Sequence, residues 1–311
     1  MIETSQRKFT YACLYINMYK DPELVHSFAL CQYLVQSGLK IVLDASDRAT
    51  ITAIEQALLA KFAKTETKTV QFLQFQLEKP AALTGLGFYI AVGGDGTFLE
   101  AVHHALRWQL PLVGFKLGRL GFLAAMTEQN YNLKLEELLH GKFVISKRLL
   151  LACRIESKDG EIRNYTVFND LVLNRKNISR IAKFILQIDG TLVDVVPADG
   201  MILATPSGST AYALAAGGAI IDPSADVLEI SPICPHSLHN RSYVAVSSSQ
   251  VTVEFPEDQL EELCVFVDGK SVPDLKVTDK LTVTKAAEYS EILTFPNDSF
   301  VANLEQKLKN H

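Results

Sequence analysis

Between residues 11 and 125 the apolar positions switch back and forth between two periods. Tyr11 to Ile16, Leu39 to Leu43, Val70 to Leu77, Phe88 to Val92 and Leu112 to Phe115 are short apolar runs that read as strands. Between them, Leu24, Phe28, Cys31 and Val35 recur at helical spacing, as do Ile51, Ile54, Leu58 and Phe62, and then Phe98, Val102, Ala105 and Leu106. Asp21-Pro22 offers the first of these helices a cap and a first-turn proline, and Gly38 closes it. Strand and helix in alternation predict a mostly parallel sheet with helices on its faces.

Beyond about residue 145 the pattern changes to short two-residue alternations separated by turn dipeptides. Phe184, Leu186 and Ile188 alternate with Lys183, Gln187 and Asp189, and Asp189-Gly190 offers a hairpin turn. Val251, Val253 and Phe255 repeat the alternation, so this half is expected to be predominantly β. Val301 to Leu308 returns to a helical pattern. The expected organisation is an α/β N-terminal domain over residues 1–145, joined by a C-terminal helix at 296–311, and a β-rich domain over 146–295. No internal repeat or low-complexity tract interrupts it.

Composition supports two cores, since the chain has 311 residues, 48% of them hydrophobic, and single cores rarely grow past roughly 250 residues. A net charge of −5 argues against bulk electrostatic capture of nucleic acid or acidic membranes. No stretch approaches the roughly 18 uninterrupted apolar residues of a membrane span, and the N-terminus has no signal-like apolar core. The five cysteines are scattered without metal or redox spacing. A soluble, cytoplasmic protein with reduced thiols is expected.

One stretch carries chemistry. Residues 91 to 97, A-V-G-G-D-G-T, place Asp95 among three glycines where a strand gives way to a helix. Such a turn brings bare backbone and the positive helix end to one point, which suits phosphate. A carboxylate there repels phosphate by roughly 4 kcal/mol for unit charges about 4 Å apart at an effective dielectric of 20. Asp95 therefore needs a compensating role, either accepting the proton of an attacking hydroxyl or helping to hold Mg²⁺ through water. The plainer alternative is that Asp95 caps a helix beginning near Thr97.

A second, independent stretch is A-D-G-M-I-L-A-T-P-S-G-S-T-A-Y-A-L-A-A-G-G at 198 to 218. Met201 to Ala204 reads as a strand, Pro206 to Ser209 as a turn, and Thr210 to Ala216 as a short helix ended by Gly217-Gly218. Its hydroxyls and glycines are poor core material but suit sugar, amide or phosphate oxygens and a flat ring. A tight packing turn is the alternative.

These blocks, with G-x-L-G-F-L at 118 to 123, F-N-D at 168 to 170, P-I-C-P-H-S-L at 232 to 238 and V-D-G at 267 to 269, resemble the NAD kinases. Members of that family transfer the γ-phosphoryl group of ATP, or in some cases of polyphosphate, to the 2'-hydroxyl of the adenosine ribose of NAD. The resemblance implies the two-domain NAD kinase fold, Mg²⁺ or another divalent cation held through nucleotide phosphates with no direct protein ligand, and a homodimer or homotetramer. It makes Asp95 the catalytic residue and lays Gly94 and Gly96 against the substrate. It puts Phe122 in the pocket lining and has Asn169 and Asp170 hold the adenosine portion. Asp199 falls toward the nicotinamide end, in a site the family builds across a subunit interface. Thr210, Ala211, Tyr212 and Ala215 match further pocket positions, Arg180 a ligand position, and His236 a place near the active site.

Taken without the family, Asn169-Asp170 also reads as a β-turn, Tyr212 as a core aromatic, Arg180 as part of a solvated basic loop and His236 as a packed histidine. His103 and His104 read as helix-surface residues rather than metal ligands. Departures from the family pattern are Lys116, where many bacterial members carry Asn, Glu100 and His103 where others are often basic, and Lys270 in D-G-K. Two other functions stay open: a lipid kinase with the same glycine loop, and a non-catalytic NAD-responsive binding protein.

Overall fold

Helix and strand periods in the first half resolve into a parallel sheet covered by helices. The computed structural model describes residues 8–65, 70–76, 79, 83–118, 123–177, 179–237, 241–257, 259, 263–296 and 298–309. The chain divides into two units, Met1–Ser146 with Ser290–His311, and Lys147–Tyr289.

The first unit runs β1 (Phe9–Ile16), α1 (Val25–Gln36), β2 (Lys40–Asp44), α2 (Arg48–Phe62), β3 (Phe72–Gln74), β4 (Leu86–Gly93), α3 (Asp95–Arg107), β5 (Leu112–Lys116), β6 (Met126–Thr127) and α4 (Tyr131–Leu139). Its strands lie parallel in the order β3-β2-β1-β4-β5. Central β4 is buried from Gly87 to Gly93, which explains why it reads as an unbroken apolar run rather than an alternation. In α2 the buried stripe is Ile51, Ile54, Leu58 and Phe62, and the Asp47 carboxylate accepts from the Thr50 N–H to cap it. Between β1 and β4 the order of strands reverses. Ligands of open parallel sheets bind outside the carboxyl ends at such a point.

Three expectations need correction in this unit. The Asp21 carboxylate does satisfy first-turn donors, accepting from Val25 and Ser27 N–H at 2.9 and 2.7 Å, but α1 begins only at Val25, so Pro22 lies in the preceding turn. The run from Val70 forms a strand only over Phe72–Gln74, as an edge strand paired on one side, and Leu77 lies outside the described residues. His104 is half-buried rather than free on the helix surface: its Nδ1 lies 2.7 Å from the buried Asp44 Oδ2, which also accepts from the Tyr89 hydroxyl. Its ring packs against Tyr15 and Phe75.

The second unit is antiparallel, as the two-residue periods predict. It is built from β7 (Val144–Glu156), β8 (Ile162–Val167), β9 (Asp170–Arg175), β10 (Ala182–Ile188), β11 (Thr191–Ala198), β12 (Gly200–Ala204), a single 3₁₀ turn at Ser207–Thr210, α5 (Tyr212–Ala215), β13 (Val227–Ile233), β14 (Tyr243–Val246), β15 (Val251–Glu254), β16 (Leu263–Val267), β17 (Lys270–Leu275) and the start of β18 (Lys280–Thr294). One sheet follows the order β14-β13-β12-β9-β16-β17, and a second carries β11-β10-β15-β18. Leu171, Leu173, Met201 and Leu203 from the first share a core with Phe184, Leu186, Val251 and Val253 from the second. Asp189 and Gly190, both with φ near the left-handed region, make the predicted two-residue hairpin turn between β10 and β11.

The chain then returns to the first unit, where Ile292 of β18 lies parallel to Leu112 of β5, and ends in α6 (Phe300–Lys309). Among the described residues no helix is long and apolar enough to cross a membrane, and all five cysteines are free.

Candidate active site

In the first unit the glycine turn follows β4, one of the two strands at the switch point, and leads directly into α3. Gly94 is the residue before the helix and Asp95 its first residue, so Asp95 does not cap a helix starting near Thr97. The Thr97 hydroxyl takes up the capping contacts instead, accepting from the Gly94 N–H at 3.3 Å and from Asn17 Nδ2 at 2.9 Å. Asn17, just past the end of β1, also donates its N–H to Val92 O, which ties the two strand ends together. Released from capping, the Asp95 carboxylate is 36% exposed and pairs with the Lys116 ammonium at 3.1 Å. Gly96 is exposed beside it.

In the second unit the F-N-D segment opens β9, held by Asp268 of the V-D-G motif, a residue with no role assigned from the sequence. Asp268 sits in the left-handed region with φ 49°, followed by Gly269 at 77°, in the two-residue turn joining β16 to β17. Its carboxylate accepts from three consecutive N–H groups, Phe168 at 2.9 Å, Asn169 at 2.6 Å and Asp170 at 3.2 Å. The Thr205 hydroxyl donates to Phe168 O, and Thr205 N–H to Asn169 O, so the segment is fixed from both sides. Gly208 of the 3₁₀ turn approaches so closely that a Cβ there would stand 2.0 Å from Asn169 O. Within this frame Asn169 Oδ1 is buried with no hydrogen-bond partner among the described residues, an acceptor left with its capacity unused. Burial, then the neighbouring Asp268 charge, pushes the Asp170 carboxyl up to about 6, while a backbone hydrogen bond from Tyr212 opposes the rise.

The other expected positions are distributed around this turn. The predicted helix from Thr210 to Ala216 breaks at Ala211, whose φ of −98° and ψ of −127° separate the 3₁₀ turn from α5. Thr210 ends the 3₁₀ turn, and Tyr212 opens α5 at 43% exposure, which excludes the core-aromatic reading. Ala215, the last residue of α5, is exposed too. Asp199 pairs with the Arg175 guanidinium at 2.8 Å, and His236 Nε2 lies 3.7 Å from the same carboxylate oxygen, so these residues form one charged group at the carboxyl end of β9. His236 is exposed rather than packed. Arg180 lies in an exposed turn whose carbonyl accepts from Arg175, apart from the F-N-D frame. Phe122 lies outside the described residues. Among the described residues, no three His, Cys, Asp or Glu side chains gather where they would hold a metal.

A glycine turn at a sheet's switch point, and a β unit presenting buried polar groups beside a hydroxyl-lined turn, define a nucleotide-handling α/β protein of two units. The ATP-NAD kinase N-terminal domain family matches residues 22–143, and the ATP-NAD kinase C-terminal domain family matches residues 168–295. The NAD kinase of Caldanaerobacter subterraneus subsp. tengcongensis is 35% identical over 221 residues, covering 71% of this chain and 78% of that one. That of Nitrosomonas europaea is 32% identical over 294 residues, covering 94% and 93%. Among solved structures, yeast NADH kinase complexed with NADH superposes with a TM-score of 0.82 at 21% identity, over 98% of this chain and 89% of that one. An NAD kinase from Archaeoglobus fulgidus in complex with ATP gives 0.68 at 20% identity, over 97% and 100%. This chain belongs to the NAD kinase family.

Proposed function

We propose that the chain transfers a phosphoryl group from ATP to the 2'-hydroxyl of the adenosine ribose of NAD, with Asp95 as the general base. Family membership supports the reaction. The observation that carries the base is the place of Asp95: a partly exposed carboxylate on the first residue of α3, relieved of capping by Thr97, at the switch point of a parallel sheet.

A ribose hydroxyl is a weak nucleophile. As its oxygen bonds to phosphorus, Asp95 accepts its proton and the bridging bond of the donor breaks, releasing ADP. Gly94 and Gly96 keep the backbone bare there, so the N–H groups at the start of α3 stabilise developing phosphate charge. A divalent cation such as Mg²⁺, brought in with the nucleotide, would neutralise phosphate charge here, and Asp95 is the residue that would help to hold it. Asn169 Oδ1 and the Asp170 carboxylate accept from hydroxyl or amino donors of the adenosine portion. Thr210, Ala211, Tyr212 and Ala215 line the same subsite, and the Asp199 and His236 group faces the nicotinamide end.

The protein acts in the cytoplasm as a homodimer or homotetramer, with ATP or polyphosphate as donor and NAD or NADH as acceptor. Purified protein assayed for NADP over a matrix of these donors and acceptors tests the reaction. Asp95→Asn should keep NAD affinity and reduce turnover by roughly 10²-fold or more; unchanged turnover would remove Asp95 as the base.

A further inference from the structure

We propose that Lys116 is a further catalytic residue, whose ammonium contacts the phosphoryl group in transfer and remains on the product's 2'-phosphate. The inference rests on the reading of Asp95 as base. Lys116 is the last residue of β5 and lies opposite Gly93, the last residue of β4, while the next N–H, that of Leu117, donates to Gly93 O at 3.0 Å. Parallel pairing therefore fixes this lysine's backbone beside the glycine turn, although 21 residues separate it from Asp95. Its side chain is only 11% exposed and its Nζ lies 3.1 Å from Asp95 Oδ1. A Cβ on Gly94 would stand 3.8 Å from the same Nζ, so the turn's backbone stays bare next to the ammonium.

An enclosed lysine is uncommon unless something needs its charge. Asp95 needs it. During transfer the attacking oxygen lies within about 3–3.5 Å of both the base and the phosphorus. A cation in contact with the base is thus within one phosphate's reach of the transferred group. An ammonium has three donors, and one directed at Asp95 leaves the geometry open to share the cation with a phosphoryl oxygen. That sharing removes the repulsion between carboxylate and phosphate that makes an aspartate in a glycine turn costly. In the reaction the ribose oxygen to phosphorus bond forms, the bridging bond to the departing ADP breaks, and the hydroxyl proton goes to Asp95. Lys116 exchanges no proton and supplies charge alone. An asparagine, found here in many bacterial members of the family, lacks that charge.

The product then carries the transferred phosphate where Lys116 can hold it, so the lysine should separate NADP from NAD in binding. Calorimetric titration of the full chain with NAD and with NADP, without donor, reads this directly. Lys116→Met should weaken NADP roughly 10- to 10²-fold, the range for a hydrogen bond to a charged group, and leave NAD within about twofold. Turnover should fall by a similar factor at unchanged KM for NAD, and Lys116→Arg should recover most of both. A role confined to orienting Asp95 would lower turnover without moving the NADP to NAD ratio. Equal weakening of both nucleotides, or of neither, overturns the proposal; if Lys116→Met does not fold, Lys116→Asn against Lys116→Arg decides it by the same ratio. Active wild-type protein with an unmoved ratio defeats only the Lys116 assignment, whereas full turnover in Asp95→Asn defeats the base and this inference with it.

Discussion

Replacing Asp170 by Asn should make the protein more stable at neutral pH and poorer at binding its acceptor. The Asp170 carboxyl is 6% exposed and, through burial and the nearby Asp268, rises from its ordinary 3.8 to about 6 in the folded chain. Between those two values the folded state holds more protons than the unfolded one, so stability falls as pH climbs from about 4 to about 6 and stays low above. At 1.36 kcal/mol for each pH unit, a rise of about two units corresponds to destabilisation on the order of 3 kcal/mol at pH 7. An asparagine of the same shape carries no charge to desolvate and removes that penalty. Urea unfolding of both proteins at pH 7 and at pH 3.5 should give a gap on the order of 3 kcal/mol at the higher pH and little at the lower. In parallel, NAD affinity of the wild type should drop as pH falls through about 6, and the variant should bind weakly at both. A variant less stable than wild type at pH 7, or a gap independent of pH, would refute the reasoning.

Two further changes probe the frame around that carboxylate. Gly208→Ala drives a methyl into the Asn169 carbonyl, where the neighbour is backbone and cannot step aside; thermal unfolding should show a loss of about 1–3 kcal/mol, and the KM for NAD should rise. Asp268→Asn weakens the acceptor shared by three buried N–H groups and should destabilise by roughly 1–3 kcal/mol in urea titration. Because it also removes a like charge, it should shift the midpoint of the pH dependence of NAD binding below that of the wild type.

Local periodicity made most of the architecture legible. The stripe Ile51, Ile54, Leu58 and Phe62 is the buried face of α2, and Asp189-Gly190 is the hairpin turn, because both signals depend only on near neighbours in sequence. What stayed hidden depended on partners brought in from elsewhere. His104 falls on the exposed arc of the α3 pattern, yet Asp44, 60 residues away, draws it inward. The Val70 run forms a strand just where β3 pairs with β2, and among the described residues β3 has no second neighbour. Asp268 belongs to an ordinary-looking Asp-Gly turn, and nothing within that dipeptide announces that its carboxylate closes on a segment 98 to 100 residues earlier.

Lys116 joins the two kinds of information. Its identity is visible in the sequence as a departure from Asn, and its side-chain chemistry alone looks incidental to a carboxylate 21 positions away. The parallel sheet changes that, because every strand of such a sheet delivers its last residue to one edge, and adjacent strands β4 and β5 must therefore end side by side. Any residue closing β5 faces the glycine turn, whatever the intervening helix contains. A lysine in that place therefore sets a positive charge beside Asp95 without altering the fold that presents it.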